Sequence, residues 1–169
     1  GQNDGGGWDY NCKKSERNDT SYMGWCIQAL KTAHAANIAI DGLEAALKKT
    51  AEGFKRNASP NGGFGYTSPA QSHLTGVGVL ALQMLDKKED ISTKKGLLWL
   101  KNASCRWDAP WSKNPLYNWY YITQAKFQAS PHIWEEWNKE FSSAIVNNQT
   151  VIKGAGRDKH NAGYWKHCS

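Results

Sequence analysis

Acid–base chemistry in this chain would fall to Asp9, Asp19 and His73, two carboxylates and an imidazole at or near predicted helix starts. A positioned carboxylate or imidazole can take up and return a proton in a reacting complex. The starts of alternate helices would also gather aromatic side chains: Tyr22, Trp111, Tyr117, Tyr120 and Tyr121. Helix N-termini favour anionic or polar acceptor groups, and aromatic planes suit sugar rings or isoprenoid chains. With His73, these five form the candidate ligand-binding set. The competing use of the same residues is structural, as Trp and Tyr filling the gap between two helical layers.

Other chemistries find less support. Cys12, Cys26, Cys105 and Cys168 show no Cys-x-x-Cys spacing, which argues against a zinc ribbon or a thioredoxin-like site. Cys26 reads as a buried, inert thiol inside a helix, and a Cys105–Cys168 bridge fits only an exported chain. His160, His167 and Cys168 could collect a transition metal adventitiously, but a tail is the simpler account, and no metal site or cofactor is predicted. There is no Gly-x-Ser-x-Gly elbow, phosphate loop or dinucleotide fingerprint. Asn-x-Ser/Thr triplets at Asn18, Asn57, Asn102 and Asn148 are a weak sign of secretion.

The elements that must position these residues repeat. Gly6-Gly7-Trp8-Asp9-Tyr10 and Gly62-Gly63-Phe64-Gly65-Tyr66 share a Gly-Gly-aromatic-x-Tyr core. Each precedes a helix, and the helices carry Gly24-Trp25-Cys26-Ile27-Gln28-Ala29-Leu30 and Gly76-Val77-Gly78-Val79-Leu80-Ala81-Leu82, 52 residues apart. A weaker third copy spans Tyr117 to Ala125. Periods of this size mean repeated supersecondary units.

Six helices are predicted and no strand. Thr20 to about Ala35 follows Asp19 as N-cap. Asp41-Gly42-Leu43-Glu44 resembles a capping box and opens a second helix striped by Leu43, Leu47 and Phe54. Ser68-Pro69 opens a third through Met84. A fourth runs from about Ser92 to Asn102 and a fifth from about Leu116 to Gln128. Ser130-Pro131 starts the sixth, with Ile133, Trp137, Phe141 and Ile145 at helical spacing. Helices one, three and five, rich in Gly, Ala and aromatics, belong to an inner layer; the charged, single-striped two, four and six belong to an outer one.

Bulk properties agree. The 169 residues form one domain, 1–169, with 40% hydrophobic and 21% charged residues and a net charge of +6. Its lysines are scattered, so no nucleic-acid or membrane patch is expected, and no segment approaches ~20 apolar residues. The start at Gly1, without Met or leader, reads as a processed or trimmed product.

The residues resemble a known family. Gln2-x-x-x-Gly6-x-Trp8, the Asp19-Thr20-Ser21 helix start, the segment 74–83 and Trp119-Tyr120-Tyr121 are similar to repeats of the squalene–hopene cyclase and protein prenyltransferase β-subunit superfamily. They resemble most the bacterial prenyltransferase/squalene-oxidase repeat proteins, many of them exported and without assigned activity. The resemblance covers nearly the whole chain. It implies an α/α toroid, inner helices around a cavity, with the Gln and Trp of each turn locking neighbouring hairpins (the QW motif).

Departures from the family shape the functional expectation. The cyclases' Asp-x-Asp-Asp acid motif is absent, and Asp19, Cys26 and His73 do not reproduce the prenyltransferase zinc spacing. The second corner lacks the Gln and has Phe64 for Trp; in the fourth, a long insertion separates Gln149 from Gly163-Tyr164-Trp165. By family order Gln2 should follow an outer helix that is missing. The chain is then either a fragment of a longer toroid or an open crescent of about three hairpins that covers its edges with further repeats or a second copy. The resulting expectation is an exported, non-catalytic ligand-binding or scaffolding domain that holds a glycan, lipid or peptide on an aromatic inner face. The alternative is an enzyme of the same fold, a degenerate isoprenoid cyclase or transferase or a polysaccharide-acting toroid.

Overall fold

A computed structural model describes residues 1–11, 13–107, 115–154 and 160–166. The described residues are all-α apart from one small hairpin. Its helices are α1 (Thr20–Ala35), α2 (Leu43–Lys55), α3 (Thr75–Met84), α4 (Ile91–Leu100), α5 (Pro115–Ala129) and α6 (Pro131–Asn147).

Local signals account for three of the helix starts. Asp19 caps α1 by accepting from the Tyr22 amide at 3.0 Å. Asp90 caps α4 through the Ser92 amide at 2.9 Å. Ser130 caps α6 through the Ile133 amide, with Pro131 following, whose missing N–H is no loss in the first turn. The expected capping box at α2 does not form. Gly42 takes the N-cap position at φ 81° with no side-chain cap, a left-handed turn that an aspartate at position 41 cannot bridge.

Two further expectations are corrected. Helix α3 begins at Thr75, not at Ser68-Pro69. Residues 68–74 instead fold back over the second glycine corner: the Ser72 hydroxyl donates to the Phe64 carbonyl at 2.7 Å, and the Phe64 amide donates to the Thr75 hydroxyl at 3.0 Å. The chain also contains strands. β1 (Gln149–Ile152) pairs antiparallel with β2 (Ala162–Trp165), Gln149 opposite Trp165. Both strands are largely exposed, so no inside–outside alternation marks them in sequence. The separation of Gln149 from Trp165 along the chain is thus closed by a hairpin. The Trp165 indole N–H then donates to the Ile145 carbonyl of α6 at 2.8 Å.

The helices form two layers. α1, α3 and α5 lie side by side, with α2 packed on α1 and α3, α4 on α3 and α5, and α6 on α5. Each outer helix buries one stripe, as in α2, where Leu43, Leu47, Thr50, Ala51 and Phe54 face inward. α3 is different, since every residue from Thr75 to Gln83 is buried. Close approach makes this geometry. A methyl group on Gly24 would lie 2.5 Å from Val77 of α3, and one on Gly76 would lie 2.9 Å from the Ile122 amide nitrogen of α5. The two repeat-related glycines therefore do the same work one helix apart.

The corners are equivalent too. Gly6 (φ 89°) and Gly62 (φ 86°) both adopt the left-handed conformation. A side chain on Gly6 would overlap the Lys49 carbonyl oxygen of α2, and one on Gly62 would lie 2.6 Å from the Lys95 carbonyl oxygen of α4. Gln2 reinforces the first corner, its amide donating to the Gly6 and Ala46 carbonyls at 2.9 and 3.0 Å. Its partner is thus α2, the outer helix that follows it in the chain. Between corners, the Asn57 side-chain amide donates to the Asn18 carbonyl at 2.8 Å and to the Thr20 hydroxyl at 2.9 Å. Asn18 and Asn57 are both buried, so these two triplets serve packing and not glycosylation; Asn102 and Asn148 are exposed.

Gly42 supplies an internal control, with φ 81° and open space around it. Gly42→Ala should cost about 1–2 kcal/mol from backbone strain alone. Gly6→Ala and Gly62→Ala should each cost clearly more, because the carbonyls they meet belong to helix backbone. Urea unfolding of the three variants checks this order, and equal losses would remove the corners' special role.

Candidate functional site

The aromatic residues of α1 and α5 meet over α3. Because Gly24 and Gly76 let the inner helices come close, Tyr121 of α5 fits fully buried beside Gly24. The Gln28 side chain bridges the two helices: its carbonyl accepts from the Tyr120 hydroxyl at 3.0 Å, and its amide donates to the Gly24 carbonyl at 3.0 Å. Trp25 and Tyr120 then lie nearly parallel, 22° apart with centroids at 6.5 Å. Both stay open to solvent, Trp25 at 56% and Tyr120 at 45%. Tyr121 stands edge-on to Tyr120 at 5.0 Å and to Tyr117 at 5.1 Å. Such edge contacts suit the aromatic quadrupole.

A second pair extends the surface. Tyr10, 61% exposed, lies 4.9 Å from Tyr22. Tyr117 connects the two pairs: burial pushes its hydroxyl well above the usual tyrosine range, followed by the neighbouring Tyr121, with Tyr10 and Asp19 close enough to add to the effect. The platform thus joins Tyr22, Tyr117, Tyr120 and Tyr121 from the predicted set. Trp111 lies outside the described residues.

Asp9 and Asp19 do come together, but as a structural unit. Arg17 spans them, Nη1 on Asp9 Oδ1 at 2.5 Å and Nη2 on Asp19 Oδ2 at 3.3 Å. Its guanidinium also lies 5.3 Å over the Tyr66 ring. Asp9 further accepts from the Tyr10 amide, and Asp19 from the Ser21 hydroxyl at 2.7 Å besides capping α1. The Tyr66 hydroxyl is raised first by its hydrogen bond to Asp19 and then by burial. With a guanidinium fixed on both carboxylates, their oxygens are taken up by an ion pair and a helix cap, which opposes a role in proton transfer.

His73 is elsewhere. It is exposed at the foot of α3 and lines a separate cavity with Trp99, Asn118 and Ile122. The structure therefore does not set an imidazole against the Asp9–Asp19 pair. Among the described residues no three His, Cys, Asp or Glu side chains gather as a metal site. His167 and Cys168 lie outside those residues.

Sequence reasoning missed Trp25, Gln28, Tyr10, Arg17 and Tyr66. A signal existed for two of them: Trp25 follows Tyr22 by three positions and Gln28 follows Trp25 by three, one face of a helix. Arg17 precedes an N-cap in an irregular segment, where no periodicity points to it.

Comparison with protein-family models, with curated proteins and with solved structures finds no match for this chain.

The two described cysteines are free, Cys105 buried and Cys26 partly so. Cys105 is thus a free thiol, and Cys168, with which a bridge is possible in an exported chain, lies outside the described residues. Burial, then Glu140, pushes the Cys105 thiol up to about 12. Only the thiolate alkylates. At pH 8 Cys105 should resist iodoacetamide in the folded protein and react within minutes in 6 M guanidinium (~6 M for full unfolding). Peptide mapping by mass spectrometry reads this, and rapid native labelling of Cys105 would contradict its burial.

Proposed function

We propose that this chain is a non-catalytic, ligand-binding helical-repeat domain of the prenyltransferase/squalene-cyclase type that holds a glycan on the aromatic face of its inner helices. The observation that carries this reading is the Trp25–Tyr120 pair, two near-parallel rings about half exposed over an otherwise closed inner layer. Large apolar rings left in water and fixed in orientation mark binding surfaces. The pyranose face is apolar and its rim is hydroxylated. Flat rings edged by the Tyr120 hydroxyl, the Gln28 amide and the Ser21 hydroxyl match both parts.

A lipid tail fits this surface less well, because lipid sites enclose their ligand and this platform is open. The acid–base alternative at Asp9, Asp19 and His73 is disfavoured by the Arg17 clamp and by the separate place of His73. Export of the chain and further repeats or a second copy at its edges belong to the same reading. No helix is long and apolar enough to cross a membrane.

Affinity electrophoresis through gels containing neutral polysaccharides tests the platform. At least one should retard the protein. Trp25→Ala and Tyr120→Ala should each weaken retention about 3–10-fold, the loss of one ring contact worth about 0.5–1.5 kcal/mol, with little change in thermal midpoint. Retardation by no polysaccharide, alongside binding to phosphatidylcholine vesicles or to peptides, would replace the glycan with those ligands.

A further inference from the structure

A cavity of about 380 Å³ is lined by residues of α5 that the aromatic platform does not use. Its volume is at the low end of the roughly 300–1,000 Å³ range of small-molecule sites, room for one sugar ring and not for a chain. Three segments build it. Asn118 and Ile122 lie one turn apart on α5 and share a face. Trp99 belongs to the last turn of α4, and the chain turns immediately after it, the Asn102 amide donating to the Trp99 carbonyl at 3.2 Å. That turn places Asn102 and Ser104 at the mouth, and the Trp119 indole N–H holds the Ser104 carbonyl at 3.2 Å. His73 lines it from the foot of α3.

The lining is chemically selective. The described residues supply one indole, aliphatic surface from Ile122 and Ala103, and hydrogen-bonding groups from two amides, a hydroxyl and an imidazole. Among the described residues no Asp, Glu, Lys or Arg lines it, so none of these would balance a charged ligand. A single aromatic wall suits a ring with one apolar face and a polar rim, whereas a flat heteroaromatic ring would be served by stacking on both faces. Asn118 and Ile122 are almost fully buried, so the floor is preformed by the α3–α5 packing and does not wait for ligand.

We propose that this cavity is a second, independent binding site for a neutral monosaccharide. The ring lies on Trp99, and its hydroxyls are held by Asn118, Asn102, Ser104 and His73. This site does not depend on the platform: Tyr117, Tyr120 and Tyr121 serve the one, Asn118 and Ile122 the other.

Saturation-transfer NMR with D-glucose, D-galactose, D-mannose and N-acetyl-D-glucosamine at millimolar concentration tests the proposal on the whole chain. At least one sugar should bind. His73→Ala and Asn102→Ala change exposed residues and should leave the fold intact. Each should weaken that sugar about 3–10-fold, the loss of one hydrogen bond worth about 0.5–1.5 kcal/mol. Trp99→Leu should abolish binding, and Trp25→Ala should leave it unchanged. Binding of none of the four sugars, or binding that survives the His73→Ala/Asn102→Ala double variant, overturns the proposal. Loss of binding in Trp25→Ala instead of Trp99→Leu assigns the sugar to the platform and overturns it equally. Polysaccharide retention without monosaccharide binding sinks this site and leaves the platform standing.

Discussion

A glycine corner pressed against the backbone of an outer helix is the contact on which the rest of the molecule depends. Gly6 sits on the Lys49 carbonyl of α2 and Gly62 on the Lys95 carbonyl of α4, both with positive φ. A helix backbone cannot move aside for a side chain as a flexible terminus can. Each corner therefore fixes where the next inner helix starts. The Asp19 amide donates to the Trp8 carbonyl and the Thr20 amide to the Tyr66 carbonyl, both at 2.9 Å, so α1 is hung between two successive corners. Phe64, fully buried, drives the second corner into the core against Gly78 and Gly96. Burying one such ring contributes about 1.5–3 kcal/mol.

From that constraint the exposed aromatic surface follows. Corners at fixed intervals set the spacing of α1, α3 and α5, and Gly24 and Gly76 bring them close enough to enclose α3. Tyr121 and Gln28 close over α3, and Trp25 and Tyr120 are left above them in solvent. On another face of α5, Asn118 and Ile122 line the His73–Trp99 cavity. α6 completes the third hairpin with a different device. Lys126 of α5, nearly buried and lowered by that burial, places its ammonium 4.2 Å from the Trp137 ring centroid, and the Trp137 indole donates to the Thr123 hydroxyl at 2.9 Å. Cation–π contact offsets part of the cost of desolvating that charge.

The sequence made some of this legible and hid the rest for physical reasons. α1 and α6 could be read closely because their signals are local: a capping Asp or Ser, a proline, and a 3.6-residue stripe. The start of α3 was misread because Ser68-Pro69 is a good local start, overridden when residues 68–74 bond to the Phe64 corner. The β1–β2 hairpin escaped because its register is set across the chain and both its faces are exposed. At the site, the residue types were visible and their exposure was not. Whether a Tyr of α5 is buried like Tyr121 or open like Tyr120 depends on how closely α1 approaches, which no local pattern encodes. The same limit separated His73 from Asp9 and Asp19, which share only the property of preceding inner helices.

Native-state hydrogen exchange under increasing urea tests the account most directly, because an enclosed central helix must be the last to open. Amides of α3, residues 75–83, should exchange only through global unfolding and more slowly than those of α1 or α6. Exchange from α3 through local opening, at rates like those of α6, would mean that the glycine contacts do not hold the inner helices together.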